Sequence, residues 1–531
     1  MNEPDCAIIN TVNTTPTSRR SFLKTLAGSA ALGALTSGSR LLLAQDTSSA
    51  PSHGKMYGLI YFDVEDFFSP PDTPSHTLPG QLAEVMHKHG MQGSFHIMGE
   101  RARFWERHRM TNVIESIKKH DVSLHYDRGS IHPTTAEEVS ELDWFQGVDR
   151  VLFRELPGFQ ALERIFGKCS ALTQHGGTFA AQIVYAAGKM GKPFFYSPFR
   201  LPGRNVVWYC NNLLIGGYQA PFHFDLYYKD TPKFEAQLAK VNPYLDERAE
   251  AFDYTAMFGC HPVRALMEEF PDAINFANGA SPSPKDWLAP TLAKNASVPR
   301  ILQNFERLIV TLVNHPKVEW TTVEGIHNLY GQRPVQVSDS HVLAGAEEVV
   351  RNGGPTYTPL LSAGELLFLL ARRAISPAMT YDVPQVMGPT EQPGQQKPVT
   401  DVDPTAVANE ILRSARSSGY LPPQLACCGG TIALGSAILH LACHATGRDL
   451  PPEDKRQPSV DAIQGVTEAV ENVKRYKKWR IHGERYHQAP ILEHFKRQCW
   501  TLKPAFTQQD YDQGVELGRY LNPMFERRDQ D

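Results

Sequence analysis

The sequence predicts an α/β fold of βα units around a parallel sheet or barrel, and three observations carry that expectation. Between about residues 55 and 330, short apolar runs alternate with amphipathic stretches. The first run, Tyr57-Gly-Leu-Ile-Tyr-Phe62, ends abruptly in the carboxylates Asp63, Glu65 and Asp66. Later runs also end in polar or ionisable residues, which is where a barrel of this kind places its chemistry.

Taken in order, the short apolar runs predict strands at 59–63, 94–98, 122–125, 171–175, 194–197, 206–210, 255–261 and 318–322. The amphipathic stretches between them predict helices at 81–89, 112–120, 135–154, 180–190, 263–270 and 298–313. An apolar run bounded by polar residues is expected to be buried, and burying the acids at its end costs free energy unless a metal, a cation or hydrogen bonds compensate. A strand end with a solvated acidic turn is the alternative from this run alone.

Ahead of the first strand, Thr17-Ser18-Arg19-Arg20-Ser21-Phe22-Leu23-Lys24 precedes a weakly apolar stretch rich in Ala, Gly and Leu, with Ala44 at a position fit for cleavage. This is the layout of a twin-arginine signal over residues 1–44, so the export machinery is an expected partner and the periplasm or the outside the expected location. Gly28, Gly33, Thr36, Ser37 and Gly38 make the stretch poor as a permanent span, although an uncleaved anchor is the other reading. No later stretch is expected to cross a bilayer.

Composition agrees with a globular exported protein. A formal charge of -4, from 53 basic and 57 acidic side chains, gives no reason to expect a nucleic-acid partner. A length of 531 residues leaves room for two or three domains. Beyond Cys6 there remain Cys169, Cys210, Cys260, Cys427, Cys428, Cys443 and Cys499. An odd number forbids complete pairing, and no zinc-type spacing is present, so buried thiols with at most one disulfide are expected.

The order of the strand-end residues resembles the polysaccharide deacetylase (NodB-type) superfamily of carbohydrate esterases over roughly half the chain. Phe62-Asp63-Val64-Glu65-Asp66 resembles its first motif, and Ser94-Phe95-His96-Ile97-Met98-Gly99-Glu100 is similar to the strand that follows. The second motif is matched by His125-Tyr126-Asp127-Arg128-Gly129-Ser130-Ile131-His132, the third by Thr173-Gln174-His175-Gly176-Gly177, and the last by Cys260-His261-Pro262. The resemblance implies a deformed (β/α)7-type barrel over 53–335. It also implies a hydrolase of non-peptide carbon–nitrogen bonds, removing acyl groups from amide-linked sugars of an acetylated polysaccharide or cell-wall glycan.

Such a hydrolase must polarise a carbonyl, produce a nucleophile near neutral pH and protonate an amine. One divalent metal, expected to be zinc, supplies the first two when two histidines and a carboxylate hold it with a position left open. By the resemblance, Asp63 is the base, Glu65 or Asp66 the carboxylate ligand, His125 an imidazole ligand and His261 the acid.

Two departures bear on these roles. The family spaces its metal histidines four apart, and four after His125 stands Gly129. His132 is the expected replacement and Asp127 the alternative; His132 could instead order the start of the next helix beside Pro133-Thr134-Thr135. In the third motif an arginine is absent, for which Arg200 could substitute, and His175 is a substrate contact, a ligand or a buried imidazole. Gly176-Gly177 permits close backbone approach to a ligand or is simply a turn. These departures keep open a catalytically inactive carbohydrate-binding protein on the same barrel, and a metal-free amidase of small molecules.

Beyond residue 331, similar apolar helix candidates begin near Ser362 and Ile432, with an amphipathic one over 406–417 and Gly419-Tyr-Leu-Pro422-Pro423 after it. Residues 340–450 resemble in part helical repeats of the pseudomurein-binding kind; an accessory region packed on the barrel is the alternative. The tail over 451–531 interleaves Lys474, Arg475, Lys477, Lys478, Arg480 and Arg485 with Tyr476, Trp479 and Tyr486. It suits an anionic polymer or sugars, or else it is a solvated helix face with its aromatics inward.

Overall fold

A computed structural model describes residues 56–512, apart from 202–203, 217, 223, 252–254, 396, 398 and 400. The expected export signal lies outside the described residues. The barrel region contributes β1 (Met56–Val64), β2 (Ser94–Ile97), β3 (Asp121–Leu124), β4 (Leu172–Thr173), β5 (Phe194–Phe195), β6 (Val206–Tyr209), β7 (Asn212–Ile215), β8 (Tyr218–Gln219), β9 (Ala256–Cys260) and β10 (Val318–Thr321). Their order is β6-β7-β5-β4-β3-β2-β1-β9-β8, with β10 on the lower part of β1. Every pairing from β7 to β8 is parallel, and only β6 runs antiparallel.

The sheet cannot be flat. β7 and β8 stand at opposite ends of the parallel run, yet two residues separate them in the chain, a reach of at most about 11 Å from Ile215 to Tyr218. The sheet therefore curls until its ends nearly meet, a barrel closed by the chain itself. It is deformed because the β6–β7 hairpin and the short link to β8 replace regular βα units.

Local sequence accounts for the elements around it. Leu59, Ile60, Tyr61 and Phe62 are all buried, as a central parallel strand requires. The helix Val298–Val313 buries Ile301, Phe305, Leu308, Ile309 and Leu312, one stripe at helical spacing. The single helix expected over 135–154 is two, Thr135–Val139 and Trp144–Phe166, because each has its own cap: a Thr134/Glu137 capping box and the Asp143 side chain.

The C-terminal region and the barrel form one compact unit. The helices Asp339–Asn352, Ala363–Ile375, Pro404–Ser418 and Leu434–Thr446 are followed by Val466–Arg475 and Gln488–Gln498. The strand Lys503–Pro504 then returns to pair antiparallel with β6. Lys503, fully buried, places Nζ 2.8 and 3.0 Å from the two oxygens of Glu365, which also accepts from Arg333 at 2.9 Å. In Val466–Arg475 the apolar residues face inward, while Lys474 and Arg475 are exposed. The seven cysteines of the described residues are all free thiols, buried except Cys428, so the disulfide allowed for is not formed. No helix among the described residues is long and apolar enough to cross a membrane.

Candidate functional site

The carboxyl ends of β1, β2, β3, β4 and β9 bring six groups together, five expected and one, His96, not. Asp63 and His96 are neighbours in the register of β1 and β2, and Asp63 Oδ1 lies 2.8 Å from His96 Nδ1. Glu65 follows β1, His125 follows β3, His175 stands two residues past β4, and His261 follows β9. His261 Nε2 is 3.4 Å from Asp63 Oδ2, and its Nδ1 is 3.2 Å from Asp225 Oδ2.

Glu65, His125 and His175 are all buried, and their ligand atoms lie within 4.8 Å of one another. Glu65 Oε1 is 3.2 Å from His125 Nε2 and 3.3 Å from His175 Nε2. The Thr173 hydroxyl donates to Leu124 O at 3.1 Å, so toward His125 Nδ1, at 2.8 Å, it offers a lone pair. His125 then carries its proton on Nδ1 and turns the bare Nε2 toward a carboxylate oxygen. Two acceptors facing one another in a buried site call for a cation between them. Glu65 Oε2 and His175 Nδ1 are buried without a hydrogen-bond partner, as groups awaiting a ligand would be. The residues fit a divalent metal.

The electrostatics divide the site. Burial pushes the Asp63 carboxyl up, but His125, His96 and His261 outweigh it and hold the group below the usual carboxylate range. Glu65 is depressed in the same way, by His125 and His175 against burial. Burial wins at His125 and lowers it. At His175 burial loses to Asp272, 3.1 Å away, and to Glu65, which together raise the imidazole to about 10. His261 rises to about 9 because Asp225 and Asp63 overcome its burial.

Four residues expected at the site, Asp127 among them as an alternative ligand, are placed elsewhere. Asp66 spends Oδ1 on the amides of Phe68 and Ser69, both at 3.2 Å, and Oδ2 on the Ser75 hydroxyl at 2.5 Å. His132 has both ring nitrogens engaged, Nδ1 with Glu137 Oε2 at 2.7 Å and Nε2 with Phe276 O at 3.0 Å, so it supports the helix start and joins none of the clusters of mutually close ligand atoms. Asp127 pairs with Arg103 at 2.7 Å. Arg200 is exposed, 4.0 Å from Glu468. His96, Asp225 and Asp272 were not anticipated. A histidine inside an apolar strand, level with Asp63, was the available signal for the first, whereas Asp225 and Asp272 lie on the short helices Phe224–Tyr227 and Pro271–Asn275 and carry no motif.

Above the cluster lies a cavity of about 520 Å3, lined among others by Glu65, His175, His261, Arg264, Asp272 and Trp479.

No family model matches the sequence, and no curated protein matches it. Among solved structures, the chain is similar to a Mycobacterium smegmatis protein assigned as a polysaccharide deacetylase, at 14% identity over 53% of this chain and 92% of that one, with a TM-score of 0.31. It is also similar to the allantoinase PuuE, at 11% identity over 52% and 92%, with a TM-score of 0.33. A family 4 carbohydrate esterase from Streptomyces lividans matches at 10% identity over 50% and 92%, with a TM-score of 0.25.

Proposed function

We propose that the protein is an exported hydrolase that removes acyl groups, acetyl foremost, from amide-linked sugars of an envelope or extracellular glycan. One divalent metal, zinc, is held by Glu65, His125 and His175. The observation that carries the reading is the convergence of three buried ligand atoms on one point beside Asp63 and His261. When bound, zinc supplies carbonyl polarisation and a more acidic water.

The chain's own groups do the rest. Asp63, fixed through Oδ1 by His96, takes a proton from the attacking water on Oδ2, the oxygen that faces His261 Nε2 at 3.4 Å. His261, steadied at Nδ1 by Asp225, gives the Nε2 proton to the departing amine as the carbon–nitrogen bond breaks. The twin-arginine motif at Arg19-Arg20 supports export.

Metal analysis and acetate release test the proposal together. The protein reconstituted with zinc, cobalt or nickel is expected to hold about one ion per chain and to release acetate from N-acetylated glycans. Asp63→Asn and His261→Ala are each expected to lower kcat by at least about 100-fold. Binding of less than about a tenth of an equivalent of metal would end the metal model. Sugar binding without acetate release from any substrate would establish a binding protein instead.

A further inference from the structure

We infer that this site takes a short N-acylated sugar or the free end of a chain, and excludes the interior of a polymer; the inference rests on the function proposed above. Its ground is a roof over the β3–β4 side of the barrel mouth. Trp479 lies against the turn after β4, where a Cβ on Gly176 would fall 2.0 Å from its ring and one on Gly177 would fall 2.7 Å from Tyr476 O. The paired glycines, read as room for a ligand or as a simple turn, admit the protein's own C-terminal segment.

That segment is fastened on its far side as well. Asn278 N donates to Arg480 O at 3.0 Å and Gly279 N to Ile481 O at 2.8 Å. The adjoining stretch is in turn tied back to the barrel, by Phe276 O accepting from His132 and by Asp272 meeting His175. Residues 271–279 and 479–481 thus span the mouth from β3 across β4 as two bonded segments, and Trp479 meets the His175 ring edge-on at 5.1 Å. An extended chain threading past Glu65 would have to pass through this roof.

What remains beside that roof is a partly open cavity. Its volume of about 520 Å3 lies within the range of about 300–1,000 Å3 in which sites enclose single small ligands. Its lining includes the half-exposed His261 and Arg264 opposite the roof segment. One or two sugar units, or a chain terminus, fill that space with the acyl group at Glu65.

The test is a length series of β-1,4-linked N-acetylglucosamine oligomers of one to six units on the zinc-loaded full chain, with deacetylated positions located by mass spectrometry and affinities measured by calorimetry. Catalytic efficiency and affinity are expected to level off at two units, with only terminal units deacetylated. Deacetylation of internal units, or an affinity that keeps rising with length beyond two units, would overturn the inference and leave the proposed hydrolysis standing. Absence of acetate with affinity levelling at two units would remove the hydrolysis and support the pocket. Trp479→Gly, which opens the roof and gives up the edge contact with His175 while leaving Asp63, His261 and the three ligand side chains present, is expected to bring internal units into the product pattern, with bound zinc measured in the same variant. If that variant misfolds, the wild-type series decides.

Discussion

His175 Cε1 stands 3.5 Å from the point that a Cβ on Gly129 would occupy, and Met98 Cε stands 2.2 Å from it. A Cβ there would collide with Met98 and meet His175 only at ordinary contact, so Gly129, at φ 51°, makes room for Met98 beside the imidazole that extends from the end of β4 toward Glu65. The second imidazole beside Glu65 thus comes from the end of β4 and not from the loop after β3.

Removing that imidazole separates the two candidates for the ligand. His175→Ala is expected to weaken zinc binding by about 100-fold or more, because two protein ligands remain of three. His132→Ala is expected to keep the affinity and to lose about 1 kcal/mol of stability, the usual worth of a helix-start contact. Competition with a chromophoric chelator and thermal melts of the metal-free variants report the two quantities independently.

His96 should act through Asp63 alone. His96→Leu is expected to lower kcat by about 10–100-fold with little change in KM, since the carboxylate loses the bond that orients it. His96→Asn, whose amide nitrogen can stand near the place of Nδ1, should recover most of the loss. Equal damage by both variants would make His96 a packing residue.

Lys503 and Glu365 fasten the C-terminal return to the helical region from full burial. Lys503→Met leaves the carboxylate short of a partner and is expected to cost about 3–5 kcal/mol, whereas Lys503→Met with Glu365→Leu should recover part of it. Urea unfolding of the three variants checks the coupling.

Glu155 gives stability a pH dependence of known sign. Burial pushes its carboxyl up to about 7 from an ordinary 4.5, against Arg154, Thr135 and the Asp127 amide. The folded protein therefore holds a proton between those values that the unfolded chain has released, so this contribution is complete below pH 4.5 and is lost as pH rises through 7. The window amounts to about 3 kcal/mol at most. Subtracting the unfolding free energy of Glu155→Gln from that of the parent between pH 4.5 and 8 should isolate the slope.

The sequence by itself determined the barrel's central strands and four of the groups at their ends. An apolar run followed by acids reads as a buried strand whose end carries either a site or a solvated turn, so the strand-end places of Asp63 and Glu65 were legible from local pattern, as were those of His125 and His261 directly after their strands. The same pattern left open which imidazole would join them. Contacts between distant segments decided it: the loop after β3 turns His132 to Phe276, a residue 144 positions away, while His175 reaches Glu65. Tertiary structure likewise brought Asp225, Asp272 and Trp479 to the cluster, from short helices and a C-terminal segment that carry no periodic signal. Strand ends are fixed by hydrophobic burial along a few consecutive residues, whereas the companions of a strand end are fixed by hydrogen bonds and packing between segments far apart in the chain.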